Sequence, residues 1–337
     1  MTTLPPVKTY PSMDRARFEA EVVPAAQPAV FRGAVAGWPV VVAGRAGPAA
    51  LAAYLRGHAN DVAGEAWFGA PEIAGRFGFN TAVDGYNHER KAATIAQLLD
   101  LLLRQEGDPH PWSIFAGALP LRRHMPGFVA DNAQPLLDEA RQMLVSLWLG
   151  NGTSTAAHWD LPQNLACVVA GRRRFTLFPT EQVANLYVGP LDFTLAGQPS
   201  SLVDVDAPDF DRFPKFREAL AHAQVAELDP GDVLYLPSLW WHAVRSEGPV
   251  CAMINYWWRD APADAISPIK ALTLAVMTLR DTAPEERARW RHFFDHYIFG
   301  DSAPVEHIPA AARGILGERD AAAMAAAKAM IARSLVR

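Results

Sequence analysis

The chain is short of cysteine, has no excess of positive charge, no long apolar run and no repeated unit, and each shortage removes a class of function. Cys167 and Cys251 are the only 2 thiols in 337 residues, and each lies inside an apolar, strand-like run. That usage suits small buried hydrophobes and excludes a disulfide framework or a thiolate zinc site. A reducing compartment follows, and the cytoplasm is the expected one. The formal net charge of −5 and a pI near 6.1 supply no global basic field. Binding to nucleic acid, which leans on attraction to phosphates, is therefore not expected. The stretch MTTLPPVKTYPSMDRARFEAEV carries no apolar core behind a basic start. No later segment reaches the run of about eighteen apolar residues that a membrane span needs, so neither a secretory signal nor a membrane anchor is expected.

What is present is ample core material: 50% of the residues are hydrophobic, enough for one large domain or two modest ones. The patterning divides the chain into three stretches. Residues 1–140 mix short apolar runs with helical segments and are expected to pack on the part that follows. PAVFRGAVAGWPVV reads as a strand and a turn, and Thr94 and Gln97 have capping-box spacing ahead of LLDLLLRQ, with Gly107 as a stop. Residues 141–260 are β-rich: MLVSLWLGN, NLACVVAG, RFTLFP, VAELD, DVLYLP and CAMINYWW are short runs punctuated by Gly, Pro, Asn and Asp. Gly171-Arg172 and Asp229-Pro230-Gly231-Asp232 read as tight turns between such runs. Several short strands joined this way predict a sandwich or barrel. The Pro- and Asp-rich stretch from 189 to 223 is too long for a hairpin and is expected to be functional or ordered by packing. Residues 261–337 return to helix, with SPIKALTLAVMTLR, a second capping box at Thr282 to Glu285, and an Ala-rich tail.

The chemistry-bearing residues fall in the β-rich stretch. His158 and Asp160 stand two apart, so on an extended strand both side chains leave the same face. His242 follows a P-G-D turn and another apolar run, where a second strand can return to the first. Two imidazoles and one carboxylate make the facial triad of non-haem iron sites, which leaves coordination positions open. A hydrogen-bonded strand pair would also account for His158 and Asp160, and a core histidine for His242. Arg173 lies between Arg172 and Arg174, and strand alternation turns it away from both; a solvated basic hairpin is the other reading. His292 and His296 share a helix face, but without the glutamate of the zinc-peptidase motif they read as polar positions on an aromatic helix.

Five motifs occur together: T-x-x-H-x-D with Q-N (Thr155 to Asn164), G-R-R-R-F-T-L-F-P (Gly171 to Pro179), R-F-P-x-F (Arg212 to Phe216), P-G-D-V-L-Y-L-P-x-x-W-W-H (Pro230 to His242) and I-N-Y-W (Ile254 to Trp257). In this order and spacing the chain resembles the cupin-like jumonji-C family of oxygenases from about Pro28 to Arg259. The resemblance implies a mainly β fold with flanking helices, a double-stranded β-helix or jelly-roll barrel between a helical N-terminal part and C-terminal helices. It implies iron(II) held by His158, Asp160 and His242, with 2-oxoglutarate and O₂ as co-substrates. Thr155 and Arg173 would meet the distal carboxylate of 2-oxoglutarate, Arg173 standing where the family commonly has lysine; arginine can hold a carboxylate bidentately. Asn164, Asn255 and Trp257 would line the same pocket. The expected reaction is hydroxylation of a protein or peptide side chain, with a small metabolite or a methylated lysine as the other substrates. A non-catalytic cupin that binds a ligand and senses it is the rival, and a zinc or manganese cupin the third. By the same resemblance, the C-terminal helices would pair two copies into a homodimer.

Overall fold

The computed structural model describes residues 4–262, 265–300, 305–318 and 321–335. The chain divides into two compact units, Met1–Ala261 and Pro262–Arg337. All the β-structure lies in the first. In chain order the strands are β1 (Thr9–Tyr10), β2 (Ala29–Phe31), β3 (Gly64–Gly69), β4 (Arg76–Phe77), β5 (Glu89–Ala93), β6 (Ser113–Pro120), β7 (Leu144–Gly150), β8 (Ser154–Trp159), β9 (Gln163–Phe178), β10 (Gln224–Leu228), β11 (Val233–Leu236) and β12 (Trp241–Trp258). They hydrogen-bond in the order β1-β2-β11-β9-β12-β7-β6-β3-β5, with β10 on β9, β8 on β12 and β4 on β8. Only β1 with β2 and β4 with β8 pair in parallel. All six strands of the N-terminal stretch, β1 to β6, thus belong to the sheet that the motif-bearing strands build, and residue 140 lies inside the first unit.

The fold turns on β9 and β12, 16 and 18 residues long. Each half of one pairs with the opposite half of the other, and between the halves the register slips: Arg172 faces Glu247, whereas Ala170 faces Ala252. The two apolar runs NLACVVAG and RFTLFP are therefore one bent strand, and the turn expected at Gly171-Arg172 is a bulge. The misreading has a local cause. Gly171 has φ of +71°, a conformation that serves a turn and a bulge equally.

A second slip just before it, where Ala170 faces Ala252 but Val168 faces Met253, reverses which residues face inward: Val169 and Ala170 both point outward. Before it, Leu165, Cys167 and Val169 point out to the N-terminal helices, while Ala166 and Val168 point into the inner core. After it, Phe175 and Leu177 join the inner core. Strict alternation from Ala166 would have turned Arg172 and Arg174 inward. Instead Arg173 is buried and its two neighbours are exposed. The same exchange occurs in β12, whose His242, Val244 and Ser246 share a cavity wall with Met253 and Trp257.

The outer face of this sheet is covered by helices Pro39–Ala46, Pro48–His58 and Ile95–Arg104, through Val40, Val41, Leu51, Leu55, Leu98 and Leu102. Each such side chain, fully buried, contributes about 1.5–3 kcal/mol of transfer free energy. Helix Ile95–Arg104 starts at the predicted capping box: Thr94 Oγ1 accepts from Gln97 N at 3.2 Å and Gln97 Oε1 from Thr94 N at 2.9 Å. The turn at Asp229 also forms, with Asp232 N donating to Asp229 O at 3.0 Å and Gly231 at φ of +100°. The long stretch after residue 189 is ordered by packing, as Leu186, Val203, Phe213 and Phe216 are buried together with Phe178 and Trp241.

In the second unit, helices Pro268–Leu279, Pro284–Phe294 and Ala321–Leu335 occupy the predicted segments. The capping box at Thr282 does not form. Ala283 is the N-cap, Pro284 takes the first helical position, and Thr282 Oγ1 donates to Leu279 O at 2.9 Å. Among the described residues no helix is long and apolar enough to cross a membrane.

A methyl group at Gly171 would sit 2.5 Å from Cys251 Sγ and 2.9 Å from Glu247 O, at a φ side chains avoid. Gly171→Ala is expected to cost at least about 2 kcal/mol of unfolding free energy in urea. Gly57→Ala, on an open helix surface with nothing within 4 Å, is expected to be neutral or stabilising by up to about 1 kcal/mol.

Candidate metal centre

β8 delivers His158 and, one residue past its end, Asp160; β12 delivers His242 directly opposite, His242 pairing with His158. The ring centroids lie 4.3 Å apart, and His242 Nε2 is 3.6 Å from Asp160 Oδ2. One ligand atom from each of the three residues can be chosen so that all lie within 4.8 Å of one another. Both imidazoles are fixed by their own strands. His158 Nδ1 bonds Ala156 O at 2.8 Å and His242 Nδ1 bonds Trp240 O at 3.0 Å. A carbonyl accepts only, so each Nδ1 carries the proton and each Nε2 keeps a lone pair. Burial and the neighbouring His158 push the His242 imidazole down to about 4, against the opposing pull of Asp160. The ring is neutral at pH 7, the form a metal requires. Two Nε2 lone pairs and a carboxylate on one side of a cavity fit a divalent iron-type ion with its remaining positions open.

A second bulge makes the T-x-x-H spacing work. Opposite β12, His158 faces His242 but Thr155 faces Val244, so three residues of β8 cover two of its partner. This lets Thr155 and His158, of opposite parity, both reach the cavity. The cavity measures about 510 Å³. Besides the triad its wall includes Thr155, Asn164, Arg173 and Trp257.

Arg173 is 5% exposed, takes part in no salt bridge among the described residues, and its Nε has no hydrogen-bond partner. Burial lowers its pKa to about 10, which leaves the guanidinium charged at neutral pH. A buried, unpaired cation costs several kcal/mol and calls for an anion. Arg172 is spent outside, bonded to Asp229 at 3.0 Å. Asn164 Oδ1 and Trp257 Nε1 are likewise buried without partners. Asn255 is fully enclosed on the same strand face, accepts from Trp148 Nε1 at 2.7 Å and leaves Nδ2 unpaired, but it does not itself line the cavity.

The rest of the wall escaped sequence reasoning. Trp67, Phe77, Arg90 and Phe115 come from the N-terminal strands, Trp148 from β7, and Thr194 to Ser200 from the long stretch after β9. No spacing links them, since the sheet order alone brings them together; the unusual length of the stretch from 189 was the one signal.

Fold and site together are those of a cupin with a His-Asp-His cluster that could hold a metal ion. The family described as Cupin-like domain matches residues 15–264, and the chain belongs to this jumonji-type family of 2-oxoglutarate oxygenases. It is similar to human HSPB1-associated protein 1 (Homo sapiens), 41% identical over 114 residues, covering 33% of this chain and 23% of that protein. Chicken tRNA wybutosine-synthesizing protein 5 (Gallus gallus) is 32% identical over 146 residues, 43% of each chain. Lysine-specific demethylase 8 of Xenopus tropicalis is 31% identical over 118 residues, 35% of this chain and 25% of that protein. The matches span less than half of these relatives' own lengths.

Single replacements His158→Ala, Asp160→Ala and His242→Ala each remove one of three protein ligands. Iron(II) retention after anaerobic desalting is expected to fall by at least about 100-fold for each, because even changes behind the ligands cost 10–100-fold. Stoichiometric iron in all three variants would refute the ligand set.

Proposed function

We propose that the protein is an iron(II)- and 2-oxoglutarate-dependent oxygenase that hydroxylates a C–H bond of a group entering the cavity. The observation that carries this is Arg173: a buried guanidinium without a counter-ion, on the wall of the same cavity as the triad. A dicarboxylate can supply the missing anion at one end and metal-ligating oxygens at the other.

His158, Asp160 and His242 would hold the iron, which with 2-oxoglutarate supplies the O₂-activating chemistry. The protein's own residues do the rest. Arg173 binds the distal carboxylate through its fork of donors, with the Thr155 hydroxyl on the same wall. Asn164 presents an unpaired amide to the cavity. Trp148, Phe175 and Trp257 exclude water along the wall, which strengthens each polar contact made there. The proposed substrate group is a protein or peptide side chain small enough to share about 510 Å³ with the co-substrate.

Anaerobically reconstituted protein given iron(II), 2-oxoglutarate and then O₂ is expected to release succinate; a cupin that only binds ligand releases none. Arg173→Ala is expected to weaken 2-oxoglutarate binding by about 10–100-fold in calorimetric titration while leaving iron retention intact. Arg173→Lys recovers part of the loss, since a point charge cannot make the two-pronged contact, and Arg172→Ala has little effect. Equal affinity of wild type and Arg173→Ala would sink the assignment.

We also propose that the second unit pairs two copies of the chain. Its helices expose Met277, Phe293, Ile298 and Phe299 at 54–72%, apolar surface that a two-fold contact can bury. Light scattering at micromolar concentration is expected to give a dimeric mass; a monomeric mass counts against the pairing.

A further inference from the structure

The cavity holds a second arginine for which the proposed reaction has no use. Arg90 sits on β5 directly opposite Trp67 of β3, and Trp67 in turn faces Phe115 of β6. All three side chains line the cavity. The Arg90 guanidinium lies 4.8 Å above the Trp67 ring and 4.3 Å above the Tyr86 ring. Its Nη2 donates to Leu195 O, and its Nη1 is 3.6 Å from a Glu65 carboxylate that is itself 59% exposed. Its Nε is buried and has no acceptor at all. Nη1, held only by that exposed carboxylate, is the donor with capacity left for a ligand's acceptor. The ring faces of Trp67 and Tyr86, which could otherwise hold a ligand cation, are already occupied by a cation of the protein.

Iron(II), the Asp160 carboxylate, Arg173 and a doubly charged 2-oxoglutarate sum to zero, so the loaded deep end attracts no further ion. On the outer wall Arg90 faces Glu65, an exposed carboxylate 3.6 Å away that also accepts from Trp67 Nε1 at 3.0 Å. A ligand carboxylate at Arg90 therefore takes the place of Glu65, which can turn to water.

We propose that Arg90 is a specificity-determining residue, resting on the oxygenase reading above: it seats a carboxylate carried on the substrate's apolar body, and the cavity rejects methylammonium groups. The apolar body lies against Trp67, Phe77 and Phe115, and the carboxylate takes the Nη1 donors of Arg90, which Glu65 holds only at 3.6 Å. The carboxylate belongs either to a free organic acid or to an acidic side chain of a peptide; the chemistry at Arg90 is the same.

The test is calorimetric binding to the full-length protein loaded with iron(II) and kept free of O₂, so that there is no turnover and the result stands whether or not succinate is ever formed. The probes are 4-phenylbutyrate and 3-phenylpropyltrimethylammonium, which share an aryl chain and differ in charge, titrated with saturating 2-oxoglutarate present. Phenylbutyrate is expected to bind at least about tenfold more tightly than the ammonium probe. Arg90→Gln should weaken phenylbutyrate by about tenfold, and Arg90→Lys should restore part of it. Because Arg90 also tethers Leu195, Tyr86→Phe is the control: it removes the other side-chain bond to this stretch, from Tyr86 Oη to Thr194 O at 2.8 Å, and leaves the guanidinium in place. It should bind phenylbutyrate like wild type. A blocked Ala-rich peptide with one central glutamate, run beside phenylbutyrate, separates the sources: the tighter binder identifies which one the seat serves. The proposal is overturned if the ammonium probe binds as well as the acid, if Arg90→Gln changes nothing, if Tyr86→Phe loses as much as Arg90→Gln, or if 2-oxoglutarate or Arg173→Ala alone abolishes probe binding.

Discussion

Two long strands, hydrogen-bonded to each other on both sides of a shared bend, set the geometry of everything else. The bend in β9 at Gly171 and the slip in β12 between Glu247 and Ala252 are one event seen from two chains of hydrogen bonds. Neither strand can shift without breaking its pairing with the other, and a one-residue slip would send each core residue to the wrong face. Because the adjoining slip at Val169 reverses the inward parity, Arg173 enters the cavity and Arg172 and Arg174 stay outside. The buried position of Arg173 and that of His242 are thereby set by the paired strands β9 and β12. The proposed ligand set and anion seat are properties of sheet register before they are properties of side chains.

Much of this was legible in the chain. His158, Asp160 and His242 could be placed together because five motifs in family order resemble the jumonji-C oxygenases; strand alternation and a return strand allowed the grouping but left a hydrogen-bonded pair and a core histidine open. The Thr94–Gln97 box was legible because both its bonds are local. Gly171 was misread because a positive φ looks alike in a turn and in a bulge; only the partner strand decides. Thr282 was misread for a related reason: Pro284 fixes the first helical position, and the threonine, one residue too early, bonds backward instead. Arg90, Trp67 and Phe115 were out of reach, since they meet by the order β5-β3-β6 and not by any spacing.

The two arginines of the cavity illustrate how burial changes meaning. In sequence Arg173 is one of three in a row and Arg90 lies in a polar segment, each unremarkable. In the fold Arg173 has lost water without gaining a carboxylate, and Arg90, still partly exposed, is held by two ring faces, a carbonyl and the Glu65 carboxylate. Each keeps at least one unpaired donor. A protein interior tolerates such groups when something else completes them.

One consequence of the cavity's arrangement concerns order in time. The triad, the Arg173 wall and the aromatic strands all line the same cavity, and His242 and Asp160 are buried. Whatever the proposed reaction needs must share that space. In it a metal is seated before a dicarboxylate covers it, and the dicarboxylate before the substrate fills the outer part. What arrives last must leave first, so occupancy of the outer space governs how quickly the inner ligands exchange with solution.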